Sequence, residues 1–152
     1  NPYFTNRGKR EVKTSKIHFT DTGLASHLLG IDKEALLLTQ REHLGNLVEN
    51  FIYTELLKHT TYSQKTTKIY HYRDADYEVD FVLEQSNTHI IGIEVKSSTN
   101  IKSSELRGLV KLAQNSGELF TGGFIFYMGE HIIPMQKDGY KFLLLPISIL
   151  LN

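Results

Sequence analysis

The stretch EVDFVLEQSNTHIIGIEVKSS, from Glu78 to Ser98, constrains the fold of this chain more than any other. It reads as two strands joined by a polar turn at Ser86, Asn87 and Thr88. Val79, Phe81 and Leu83 alternate with Glu78, Asp80, Val82 and Glu84; Ile91, Ile93 and Val95 alternate with Ile90, Gly92, Glu94 and Lys96. Side chains two apart share a face of a strand. If the two apolar sets share one buried face, the register also gathers Asp80, Glu94 and Lys96 on the opposite one. A three-residue loop pairs Gln85 with His89 and sets Asp80 directly across from Glu94. A pairing shifted by two keeps the shared face without the direct opposition. Directly opposed Cβ atoms lie about 4.5–5.5 Å apart, and like charges there are destabilising. Such a pair is tolerated when one acid is protonated or when a cation lies between the two. With a lysine two residues on, the hairpin suits a metal ion.

The rest of the chain must supply a core and a setting for that hairpin. A length of 152 residues is that of one domain. Hydrophobic content of 40% against 22% charged is globular and argues against disorder. The longest apolar run, from Phe142 to Leu151, is broken by Pro146 and falls short of the roughly 18 residues a membrane span needs. Cysteine is absent, which removes disulfides and thiolate metal sites, and no signal peptide is visible. A cytoplasmic location without a membrane partner is the expectation. Seventeen basic residues balance seventeen acidic ones, so net charge lends no support to a nucleic-acid partner, although a local patch or a bound metal can dominate the field at a site. The sequence enters at Asn1 as if in mid-protein, as expected of a piece of a longer chain.

Residues 1–16 read as a linker or arm, with Arg7, Lys9, Arg10, Lys13 and Lys16 against Glu11. Such an arm either lies on phosphates or is solvated, the second being the commoner case. The domain proper runs over 17–152. Thr20 or Asp21 can cap a short helix carrying Leu24, Leu28 and Leu29, ended by Gly30. His18 and His27 read as structural, since nothing nearby completes a ligand set. Thr39 to Glu42 has capping-box spacing, and Leu44, Leu47, Val48, Phe51, Ile52 and Leu56 then recur as one face of a buried helix. Glu49 lies at the margin of that stripe and Glu55 nearer its centre; periodicity does not choose which of them joins Asp80 and Glu94.

KIYHYR (68–73) is a further strand, with Arg73 at its end able to hold a phosphate or a carboxylate. After Lys96, Ser103 or Ser104 can cap a helix whose Leu106, Leu109, Val110 and Ala113 share a face and which Gly117 closes. Its other side carries Arg107, Lys111 and Gln114, a stripe able to follow a phosphate backbone though more often merely solvated. Strands at Gly123–Tyr127, near Ile132 and Ile133, and at Tyr140–Leu145 complete a mixed sheet flanked by helices.

An acid on one strand, acid-x-lysine on the next and an acid on the preceding helix make an economical phosphodiesterase site. Mg²⁺ takes oxygen ligands and keeps several waters, so two carboxylates and a backbone carbonyl suffice. A lysine beside it orients or deprotonates the attacking water, or steadies charge at phosphorus.

In this order, Glu49, Asp80 and Glu94-Val95-Lys96 resemble the PD-(D/E)XK nuclease superfamily. KIHFTDTGLASHLLG, GNLVENFIYTELL, YHYRDADYEVDFVL and IIGIEVKSS look, more narrowly, like an uncharacterised domain that follows the ATPase module of bacterial and archaeal AAA-type ATPases. The resemblance spans Lys16 to about Tyr127. It implies a restriction-endonuclease-like α/β (α+β mixed) fold with core order α-β-β-β-α-β. It implies that Asp80 and Glu94 bind Mg²⁺ (or Mn²⁺), that Glu49 rather than Glu55 supplements them, and that Lys96 is the catalytic lysine. It further implies an attached ATPase, through which alone ATP enters. Two departures stand out. Val79 takes the place of the proline that names the motif, and no glutamine–tyrosine signature of RecB-like exonucleases follows Gln114. Two functions are therefore expected in competition: a metal-dependent nuclease acting on nucleic acid, DNA before RNA, and a catalytically silent binding or assembly module on the same fold.

Overall fold

A computed structural model of the chain describes Tyr3, residues 16–28, Gly30 and residues 41–151. Arg7, Lys9, Arg10, Lys13, Leu29 and the capping box opened by Thr39 lie outside the described residues. Helix α1 covers Thr22–Leu28. It starts at Asp21, whose carboxylate accepts the Leu24 N–H at 2.8 Å, as an N-cap acid should. Gly30, at φ +63°, follows with its N–H on the His27 carbonyl. Helix α2 spans Arg41–Tyr62 and turns Ile52 and Leu56 inward, fully or nearly buried.

Six strands follow: β1 (Thr67–Asp74), β2 (Tyr77–Gln85), β3 (His89–Lys96), β4 (Phe120–Tyr127), β5 (Ile133–Lys137) and β6 (Tyr140–Pro146). Helix α3 (Arg107–Ser116) lies between β3 and β4, so the expected core order α-β-β-β-α-β is the one observed. The sheet order is β1-β2-β3-β4-β6-β5. Pairing is antiparallel except for β3 with β4 and β4 with β6; α3 is the crossover that lets β3 and β4 run parallel. The last hairpin turns on Asp138 and Gly139, at φ +49° and +83°, the sign that a tight two-residue connection prefers. In place of the expected serine cap, the entry to α3 is fastened by Glu105, whose carboxylate accepts the Lys102 N–H at 2.7 Å.

Both faces of the sheet are covered, which corrects the expectation of one buried face for the opening hairpin. On one side α2 packs Ile52 and Leu56 against Phe81, Ile93, Val95 and Phe126. On the other, α3 packs Leu109, Val110 and Leu112 against Val79, Val82, Ile90, Ile125 and Phe142. Gly92 lets α3 sit this close, since a Cβ there would lie 2.6 Å from Leu109 Cδ2 and 2.9 Å from Leu112 Cδ2.

Val79 and Phe81 are two apart yet belong to opposite layers. The β1–β2 register explains why. Tyr70 pairs with Val82 but Tyr72 with Val79, so Asp80 and Phe81 together oppose His71. That is a β-bulge, and it re-aims the side chain at the extra residue. The residue re-aimed here is Asp80.

Candidate active site

The β2–β3 hairpin has the expected three-residue loop, with Gln85 paired to His89 and Ser86 and Asn87 at positive φ. Its ladder runs inward to Phe81–Ile93 and stops there, one pair short of Asp80 and Glu94. Beyond that point the Val95 N–H donates to Asp80 Oδ2 at 2.8 Å. The strands part at the bulge, and the Asp80 carboxylate takes over from the backbone ladder.

Glu94 faces α3, in step with Ile90 and Gly92, and is 5% exposed. Its Oε2 accepts from Lys96 Nζ at 3.2 Å, and the Asp80 carboxylate acts on it across the same cleft. Burial first, and then the neighbouring Asp80 charge, raise the Glu94 carboxyl well above the usual range; Lys96 opposes both. Burial alone lowers the Lys96 ammonium, but Glu94 and Asp80 outweigh it and hold the lysine charged. Asp80, Glu94 and Lys96 line one cleft of about 510 Å³ together with Tyr77, Glu78, Ser104, Glu105, Arg107 and Gly108. Gly108 presses the first turn of α3 onto this group: a Cβ there would fall 2.2 Å from the Glu78 carbonyl oxygen and 3.0 Å from Glu94 Oε1.

Glu49 is on the α2 side. It lines a neighbouring hollow with Lys16, His43, Asn46 and Asn50 and meets Asp80 through a shared cation. Lys16 Nζ lies 3.1 Å from Glu49 Oε1, 3.1 Å from Glu78 Oε1 and 3.4 Å from Asp80 Oδ1. Glu49 itself is raised, by burial and then by the Asp80 charge. Glu55 points elsewhere, onto Lys58 at 2.6 Å. The helix acid near Asp80 is therefore Glu49.

Of the residues expected to touch substrate, Arg107 lines the cleft. Lys111 lies next to it, its Nζ 5.9 Å above the Tyr77 ring. Arg73 pairs across β1–β2 with Glu78, and Gln114 is exposed on α3; neither lines the cleft. Sequence reading missed Lys16, Glu78 and Gly108. Glu78 stood inside the hairpin motif, two residues before Asp80, and its link to the site runs through Lys16. Among the described residues, no three acidic or histidine side chains close on a single point tightly enough to hold an ion as they stand. The donor chemistry nevertheless fits a hard divalent cation: the Asp80 and Glu94 carboxylates line one cleft, and Glu49 and Glu78 are bridged by an ammonium beside it.

His71, opposite the bulge, is buried. Burial, with positive charge nearby that includes Lys16, pushes its imidazole down to about 4. The folded state thus binds fewer protons than the unfolded one between about 4 and the ordinary imidazole value of 6.5, so stability falls as pH drops through that window. Roughly 2–3 kcal/mol of stability should be lost from this group between neutral pH and pH 4. Urea midpoints for wild type and His71→Gln across that range measure it; an equally steep acid loss in the variant would refute the assignment.

Two family models match the sequence, both described as domains of unknown function: one (DUF4143) over residues 44–150 and one (DUF8612) over residues 1–35. The chain is 34% identical over 138 residues to an uncharacterized protein of Mycobacterium bovis and, to the same extent, to an uncharacterized protein of Mycobacterium tuberculosis. These matches cover 89% of this chain but only 29% of either relative. None of the descriptions names an activity, and no solved structure matches the chain significantly. Residues 44–150 hold the whole sheet, Glu49 and the Asp80–Glu94–Lys96 cleft, and by that match the chain belongs to the DUF4143 family.

Proposed function

We propose that this domain is a divalent-metal-dependent phosphodiesterase of the nuclease type, acting on DNA, on a restriction-endonuclease-like fold of the PD-(D/E)XK superfamily. The observation that carries the reading is the convergence of Asp80, Glu94 and Lys96 in one cleft where β2 and β3 part. Asp80 and Glu94 would hold Mg²⁺ or Mn²⁺, with Glu49 behind Asp80. When bound, the ion supplies Lewis acidity toward a phosphate oxygen and toward attacking water.

The protein's own groups do the rest. Asp80, fixed through Oδ2 by the Val95 N–H, would offer Oδ1, the oxygen that Lys16 Nζ approaches to 3.4 Å. Lys96, held protonated by two carboxylates, serves as a positive donor to the charge that builds on phosphate oxygens as water adds and the ester oxygen leaves. It is poorly suited to accept a proton. Arg107 at the cleft wall meets a flanking phosphate as a fork of N–H donors. The chain spans 29% of the length of its curated relatives, and an attached ATPase module is what the sequence resemblance implies. No helix among the described residues is long and apolar enough to cross a membrane.

A second reading, a binding module that keeps this fold without chemistry, draws on one observation. The Lys16 ammonium already supplies counter-charge to three of the acids. Cleavage of plasmid and single-stranded DNA by wild type and Asp80→Asn, with Mg²⁺, Mn²⁺ or chelator, separates the two. The nuclease reading expects metal-dependent cleavage that Asp80→Asn abolishes; salt-dependent DNA binding without cleavage in either protein would favour the module.

A further inference from the structure

Lys16 fits neither reading of residues 1–16 as a linker or a phosphate-binding arm, because its ammonium points inward. It bridges Glu49 on α2 with Glu78 and Asp80 on β2, all within 3.4 Å. The short extended segment that carries it is held to α2 by a few polar contacts. His18 stacks on Tyr53, with centroids 4.2 Å apart and planes at 18°. The Phe19 N–H donates to Asn50 Oδ1 at 2.7 Å, and Asn50 Nδ2 in turn donates to Thr22 Oγ1 at 3.1 Å.

Apolar burial contributes little to that attachment. Ile17 is 93% exposed and Phe19 48%, so the apolar surface that residues 16–19 cover is mainly the Tyr53 and Phe81 rings under His18. Segments anchored in this way open locally at small cost. By contrast, Asp80 is fixed from the other side by the Val95 N–H and stays where it is. A divalent cation at Asp80 carries twice the charge of Lys16 and repels it at contact range, where Coulomb energy is largest. Oδ2 of Asp80 is already taken by the Val95 N–H, so the ion and Lys16 compete for Oδ1.

We infer that Lys16 is the resident counter-ion of this acid cluster, and that a divalent cation entering at Asp80 displaces it and releases residues 16–19 from α2. The inference rests on the metal-site reading proposed above. Metal loading and attachment of the segment are then opposed: whatever holds residues 16–19 on α2 weakens metal binding, and whatever draws them away strengthens it.

The test uses the 152-residue chain and Mn²⁺. Calorimetric titration should show Lys16→Met binding Mn²⁺ about tenfold or more tighter than wild type, with Lys16→Arg within about threefold of it. In unmodified protein, trypsin cleavage between Lys16 and Ile17, read by mass spectrometry, should accelerate about fivefold or more at saturating Mn²⁺, and should not respond in Asp80→Asn. This second readout needs no substitution at Lys16, so a variant that fails to fold does not spoil it. Mn²⁺ binding to wild type with an unchanged cleavage rate, or with equal affinity in Lys16→Met, overturns the displacement and leaves the metal site standing. No Mn²⁺ binding to any of the proteins overturns both.

Discussion

Lys96→Met is expected to lower DNA cleavage by about 10²- to 10⁴-fold, with little change in substrate affinity. The side chain is part-exposed to the cleft and its ammonium sits 3.2 Å from Glu94 Oε2. Loss of Lys96 also leaves Glu94 beside Asp80 without its nearest cation. Mn²⁺ affinity should therefore hold or rise while turnover collapses, a split that an unfolded or metal-stripped variant would not give. Lys96→Arg keeps the charge but not the compact ammonium, and should recover part of the rate. Single-turnover cleavage of supercoiled plasmid measures all three proteins. Equal residual activity in wild type and Lys96→Met would point to a contaminating nuclease and sink the role given to Lys96.

Gly108→Ala should destabilise the domain by about 3 kcal/mol or more, a large effect for one methyl group. By helix propensity alone the substitution would stabilise by about 1 kcal/mol. Space decides otherwise: the new Cβ would lie 2.2 Å from the Glu78 carbonyl oxygen and 3.0 Å from Glu94 Oε1. One obstacle is backbone of β2 and the other a buried carboxylate, so neither yields as a flexible side chain would. Helix α3 must retreat, taking Leu109 and Leu112 off Gly92 and opening the cleft wall at Arg107. Urea unfolding gives the stability change. A midpoint equal to or above that of wild type would show that α3 does not rest on the site in the way described.

The element order, the hairpin register and the meeting of Asp80, Glu94 and Lys96 were legible in the sequence because each is a local matter. Period-two alternation fixes strands, a three-residue loop fixes register, and the hydrophobic stripe of α3 fixes the crossover. The bulge at Asp80–Phe81 was not legible. It arises from pairing with β1, and nothing in the alternation of β2 alone marks an extra residue. Lys16 was misread for a related reason. Its partners lie 33 and 64 positions away, so composition placed it with the solvated lysines before it. Gly108 carried no signal in the sequence, since its use depends on how closely α3 approaches Glu78 and Glu94 in space. The choice of Glu49 over Glu55 was open to periodicity and was settled by direction, Glu55 turning to Lys58 one turn along its own helix.

Anomalous diffraction from crystals soaked in millimolar Mn²⁺ tests the central claim most directly. The expected result is one strong peak within ligand distance of both Asp80 and Glu94, about 2.0–2.3 Å from a carboxylate oxygen of each, absent from Asp80→Asn crystals. A map with no peak between those two carboxylates at that concentration, in crystals whose cleft is open to solvent, would contradict it.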